Sequence, residues 1–203
     1  MVITQEIRIL GGIEMKHTKE LTLSAMFISI GLILPFLTGQ IPQIGRMLLP
    51  MHLPVFLCGL ICGWKKGAIV GFTLPIMRSI LFGMPVMFPM AITMSFELLT
   101  YGWVVGLIYQ RAQCKFTVAI YRSMLIAMIS GRVVWGVVMG LMLGMGENRF
   151  TWQMFITGGI LNAIPGIIIQ LLLIPTIMVM LKRMGFLEDE INQEERLLKC
   201  KGW

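Results

Sequence analysis

Apolar residues gather in six runs, roughly 21–39, 47–63, 67–82, 86–110, 116–145 and 155–181. A straight helix needs about 20 residues, each rising about 1.5 Å, to cross about 30 Å of hydrocarbon. The first run has that length. The second and third are shorter, so they are expected to be broken or to stop within protein-lined space. The last three are long enough to tilt. The pattern predicts an all-α integral membrane protein of six transmembrane helices. Residues 21–183 form the membrane domain, with polar tails at 1–20 and 184–203. Met15, followed by Lys16 and Lys19, is a candidate start. The first 20 residues lack the apolar core of a cleaved secretory signal. The last stretch is charged, with Glu188, Asp189, Glu190, Glu194, Glu195 and Arg196.

Composition sharpens this picture. The 203 residues are 57% hydrophobic and 13% charged, with a mean hydropathy of +0.83. A soluble domain carries about twice that charged fraction, and a disordered chain is far less apolar. The net charge of +7 does not mark a nucleic-acid surface, because the bases form no stripe with interleaved aromatics. They fall in the gaps between runs. Lys16, Lys19, Lys65, Lys66, Arg111, Lys115, Arg122, Lys182 and Arg183 lie on one side of the alternation, and only Arg46 and Arg149 on the other. The positive-inside rule then puts both termini in the cytoplasm. Cys58, Cys62, Cys114 and Cys200 form no C-x-x-C pair and read as small apolar filler. Gly59 and Gly63, Gly67 and Gly71, Gly102 and Gly106, and Gly136, Gly140 and Gly144 recur at four-residue spacing, which lets helix backbones approach closely.

Ionisable groups at membrane depth are costly and usually functional. Four stand out, His52, Arg78, Glu97 and Arg132, with Asn162 as a buried amide. The predicted topology puts Glu97 about 16 Å below the start of its run and Asn162 about 10 Å below its own. His52 and Arg78 fall near the outer ends of theirs, and Arg132 near the middle of the fifth. The polar groups of five runs thus converge on the outer half and the centre, as an outward-opening pocket requires. Structural alternatives stand beside this reading. Glu97 and Arg132 would also serve as an ion pair between runs four and five. Arg78 would also snorkel to headgroups. His52, between Pro50 and Pro54, would also cap an irregular helix start. Asn162 would also patch the carbonyl freed by Pro165, and Gln170 reads as structural. The apolar outer loop 83–89, with Met84 and Phe88, and Trp152 in the last outer gap are candidates for the roof of a pocket.

The absences are informative. No P-loop, nucleophile elbow or helical His pair is present, so neither ATP hydrolysis by this chain nor a catalytic metal is expected, and no cofactor is implied. Glu97 alone makes a thin proton relay. The local phrases Met51-His52-Leu53-Pro54, Cys58-Gly59-Leu60-Ile61-Cys62-Gly63, Ser95-Phe96-Glu97-Leu98-Leu99-Thr100-Tyr101-Gly102 and Leu161-Asn162-Ala163-Ile164-Pro165-Gly166, carried on six short spans, resemble the substrate-binding S component of energy-coupling factor (ECF) vitamin transporters. The resemblance covers about residues 16–183. It implies a non-enzymatic subunit of a bacterial cell membrane that binds a vitamin or precursor from outside. It also implies association with a transmembrane T component and two cytosolic ATPases, whose ATP hydrolysis drives the S component to topple inward. The family's first helix carries an Ala-x-x-x-Ala docking patch; Ala25 and Ser29 stand in its place, Ser keeping the small surface. Because Arg78 and Arg132 offer forked donors, a carboxylate is the expected ligand group, with pantothenate ahead of niacin and folate. The competing functions are an intramembrane enzyme acting on a lipid or peptide, with Glu97 and His52 as acid and base, and a ligand-free structural subunit.

Overall fold

The computed structural model describes residues 2–37, 50–112, 115–144 and 163–185, with side chains in the first segment from Thr18. Six α-helices account for nearly all of them: α1 Val2–Leu37, α2 His52–Cys62, α3 Trp64–Phe82, α4 Ile92–Arg111, α5 Phe116–Gly144 and α6 Ile164–Arg183. A wide helical turn, Met87–Ala91, leads into α4. There is no strand among the described residues. Among the described residues, four stretches are long and apolar enough to cross a membrane: Thr18–Phe36, Met87–Arg111, Phe116–Leu143 and Ile164–Arg183. The protein is therefore an all-helical, multi-pass membrane protein.

The boundaries differ from the hydrophobic runs in instructive ways. Helical backbone in α1 begins at Val2, through the polar stretch that precedes the first apolar run. The second run yields only the 11 residues of α2, about 16 Å at helical rise. Nine of the 11 are buried, so this half-helix lies inside protein, as short segments at membrane depth must. The expected gap after it shrinks to one residue. Gly63 has φ 85°, a conformation that favours glycine, and a Cβ there would sit 2.6 Å from Gln110 Nε2. Lys65 and Lys66 consequently fall in the first turn of α3 rather than in a loop. In the last run, regular helix starts at Ile164. Pro165 stands in its first turn, where the missing N–H has no ladder partner to lose.

Close backbone contact locks α2, α3 and α4 together. A Cβ on Gly67 would lie 2.6 Å from Gly59 Cα and 2.8 Å from the Gly102 carbonyl oxygen, and one on Gly102 would collide with the Gly67 carbonyl. Three helices meet at glycine faces, the packing expected where lipid supplies no hydrophobic drive between helices. Phe56, Val70, Leu74, Leu98, Tyr101, Val105, Ile120, Met124 and Ile174 fill the core around this seam. The Met87–Arg111 stretch is 56% buried, against 33% at most for the other three, so α4 is the central element. At one end of the bundle, Lys66 Nζ lies 3.9 Å from Glu20 Oε2, and Lys182 Nζ stands 4.4 Å above the Phe116 ring. These contacts join the middle of α1 to the start of α3 and the end of α6 to the start of α5.

Candidate functional site

Three helices deliver one buried polar cluster. α2 begins at His52, which is 1% exposed, and α4 contributes Glu97 and Tyr101, each 2% exposed. α5 contributes Arg132. An Arg132 terminal nitrogen lies 3.0 Å from Glu97 Oε1, and the Tyr101 hydroxyl donates to the same oxygen over 2.7 Å. Glu97 and Tyr101 are four residues apart, so one helix face carries both. His52 Nε2 is 3.9 Å from Glu97 Oε1, beyond hydrogen-bond reach. Neither His52 nitrogen nor Arg132 Nε has a hydrogen-bond partner among the described residues.

Aromatic and glycine packing hold this geometry. Phe56, one turn along α2 from His52, stacks on Tyr101 with centroids 5.1 Å apart, and the His52 ring lies 5.3 Å from the same tyrosine. On α5, Gly131 faces the Tyr101 ring so closely that a Cβ would clash with it. The small residue lets α5 approach, and the next residue, Arg132, then reaches Glu97. Electrostatically the cluster is a closed pair: one carboxylate, one guanidinium and an imidazole at the edge.

Of the residues expected to bind substrate, the structure brings His52, Glu97 and Arg132 together and adds Tyr101 and Gly131, which the sequence reading passed over. A carboxylate followed four residues later by a buried phenol was the available signal for Tyr101. Gly131 had none, because its role depends on which way α5 is turned. Arg78 goes elsewhere. Its Nη1 donates to the Leu32 carbonyl over 3.2 Å, and its guanidinium lies 5.7 Å from the Phe36 ring and 6.0 Å from the Phe82 ring. It ties the last turns of α1, where Pro35 interrupts the ladder, to the end of α3. A cation is favoured there by the helix dipole. Met84 and Phe88 are exposed, at 49% and 58%, in the turn between α3 and α4. Asn162 and Trp152 lie outside the described residues. Gln170, expected to be structural, is buried on α6. Ala25 and Ser29 are exposed on one face of α1, and the Ser29 hydroxyl is turned back onto the Ala25 carbonyl at 3.0 Å. Among the described residues no group of His, Cys, Asp or Glu side chains is placed to hold a metal ion.

The described residues thus form a multi-pass helical bundle that encloses a buried, paired polar cluster. The family model of the ECF transporter substrate-specific component matches residues 19–178, and the chain belongs to that family. Membership makes it a substrate-specific, vitamin-type transporter component, of a kind that works with transmembrane and ATPase partners and is not itself an enzyme. No curated protein and no solved structure matches the chain.

Proposed function

We propose that the protein captures a small water-soluble vitamin or precursor from outside a bacterial cell membrane and delivers it inward as the S component of an ATP-driven ECF transporter. In this reading it has six spans with both termini in the cytoplasm, and a T component and two cytosolic ATPases supply the work. The observation that carries the reading is the His52–Glu97–Tyr101–Arg132 cluster. A membrane protein retains charged groups at depth where they serve a site, and here the family supplies the role. The unmet His52 nitrogens favour a solute contact over a purely structural tie, since a buried polar atom without a partner costs about 1–3 kcal/mol. Ala25 and Ser29 support docking of the T component on the exposed face of α1, because small side chains let a partner helix approach. Met84, Phe88 and Trp152 form the roof of the pocket in this proposal, and Asn162 contacts the substrate.

Purified protein is expected to carry or bind a vitamin-class ligand. Mass spectrometry of co-purified small molecules, followed by titration of a vitamin panel against Trp fluorescence, tests this. A folded protein that binds none of them at submicromolar concentration refutes the reading.

A further inference from the structure

The arginines were the sequence's reason to expect an anionic ligand, and the structure occupies both. Arg132 is paired with Glu97 at 3.0 Å, and Arg78 is spent on the Leu32 carbonyl and two aromatic rings. A carboxylate arriving at the cluster would have to compete with Glu97 for one guanidinium. It would also sit beside a second, nearly inaccessible negative charge in a low-dielectric setting.

What the cluster leaves open is neutral hydrogen-bonding capacity. A neutral imidazole offers one N–H donor and one lone pair, and both His52 nitrogens lack partners. Arg132 Nε offers a further donor, also without a partner. The complement of two donors and one acceptor is a ligand edge with two acceptors and one donor, as on an amide, lactam, ureide or pyrimidinone.

We infer that the ligand meets His52 and Arg132 through an uncharged amide-like edge and not through a carboxylate. This inference rests on the solute-binding reading and narrows its ligand class. Glu97 and Tyr101 are then positioning residues. Tyr101 fixes the Glu97 carboxylate, and Glu97 holds one Arg132 terminal nitrogen, which leaves Nε without a partner.

Matched pairs that differ only at the relevant group provide the test: nicotinamide against nicotinate, panthenol against pantothenate, and biotinamide against biotin. Each is titrated into the full chain in lipid nanodiscs, with Trp fluorescence as readout. In the pair that binds best, the neutral member should bind at least about tenfold more tightly, the scale of one buried hydrogen bond. His52→Leu should weaken that binding by at least about tenfold without lowering the melting temperature, since neither nitrogen of the imidazole it removes has a hydrogen-bond partner in the protein. His52→Asn, which keeps a donor and an acceptor, should retain most of the affinity. A carboxylate member that binds more tightly than its neutral twin, and loses affinity in Arg132→Gln, overturns the inference and leaves the solute-binding reading standing. Unchanged affinity in a folded His52→Leu protein also overturns it. Binding of none of the six compounds, nor of riboflavin, thiamine or pyridoxine, by a monodisperse, cooperatively melting protein overturns the solute-binding reading and the inference with it.

Discussion

Removing Arg132 while leaving Glu97 in place should destabilise the bundle more than removing both charges. At 3.0 Å, with an effective dielectric constant of about 20, the Coulomb attraction is about 5 kcal/mol. Arg132 is 15% exposed, so solvent screening trims that figure, and the Tyr101 hydroxyl continues to serve Glu97 in the mutant. A carboxylate that is 2% exposed and has lost its cation is nevertheless a buried, uncompensated charge, which typically costs about 3–5 kcal/mol. Arg132→Leu should therefore cost about 3 kcal/mol, and Arg132→Leu with Glu97→Leu should recover at least about half of that, because replacing both partners with apolar groups can be close to neutral. Reversible unfolding in mixed micelles, read by far-UV circular dichroism, gives the four corners of the double-mutant cycle. A coupling energy below about 0.5 kcal/mol, the tolerance within which independent sites add, would refute the claim that the pair is enclosed and energetically closed.

Other perturbations follow from the same geometry. Gly131→Val should push the Tyr101 ring and draw Arg132 off Glu97, costing about 1–3 kcal/mol as overpacking does; the melting temperature checks the stability loss. Gly102→Leu should be worse, because its side chain meets the Gly67 backbone rather than a movable ring, and failure to accumulate folded protein in membranes is the expected readout. Arg78→Gln should loosen α1 from α3 by about 1.5–3 kcal/mol, the worth of a hydrogen bond from a charged donor, measured as faster amide exchange in the last turns of α1. Ala25→Trp or Ser29→Trp should abolish uptake in cells while ligand affinity of the purified protein stays unchanged; equal loss of both would mean misfolding rather than lost docking.

Much of this was legible in the chain. Run length marked the second and third runs as shorter than the others, because bilayer thickness imposes a length that sequence displays directly, but it did not tell the 11-residue α2 from the 19-residue α3. His52, Glu97 and Arg132 were visible because charge is rare in apolar runs and each instance demands a reason. Their assembly was half legible: Glu97 and Arg132 as an ion pair stood among the alternatives, but nothing in the sequence decided between that and a pair of independent ligand contacts. Arg78 illustrates the limit. Its depth along α3 was readable, yet depth does not say which neighbour a helix turns it towards. The structure turns it to α1. The one-residue connection at Gly63 was likewise hidden, because Lys65 and Lys66 read as a polar gap between runs when they belong to the first turn of a helix.

The division of labour among the helices bears on how such a site would respond to its ligand. His52, Glu97 and Tyr101 belong to α2 and α4, and these two helices are joined through α3 by glycine faces where any added carbon meets backbone. A packed interface of that kind has no soft coordinate. Arg132 is different. It comes from α5, which meets the cluster through the side chain of Tyr101 against Gly131, a contact that an aromatic ring adjusts by rotation. Any rearrangement of the pair is therefore cheaper from the α5 side than from the α2–α3–α4 side. It would change the Arg132–Glu97 distance and, as the Tyr101 ring turns, the angle of its stack on Phe56. Ligand-induced shifts should accordingly concentrate in α5 around Gly131, with α2 and α4 moving as one body.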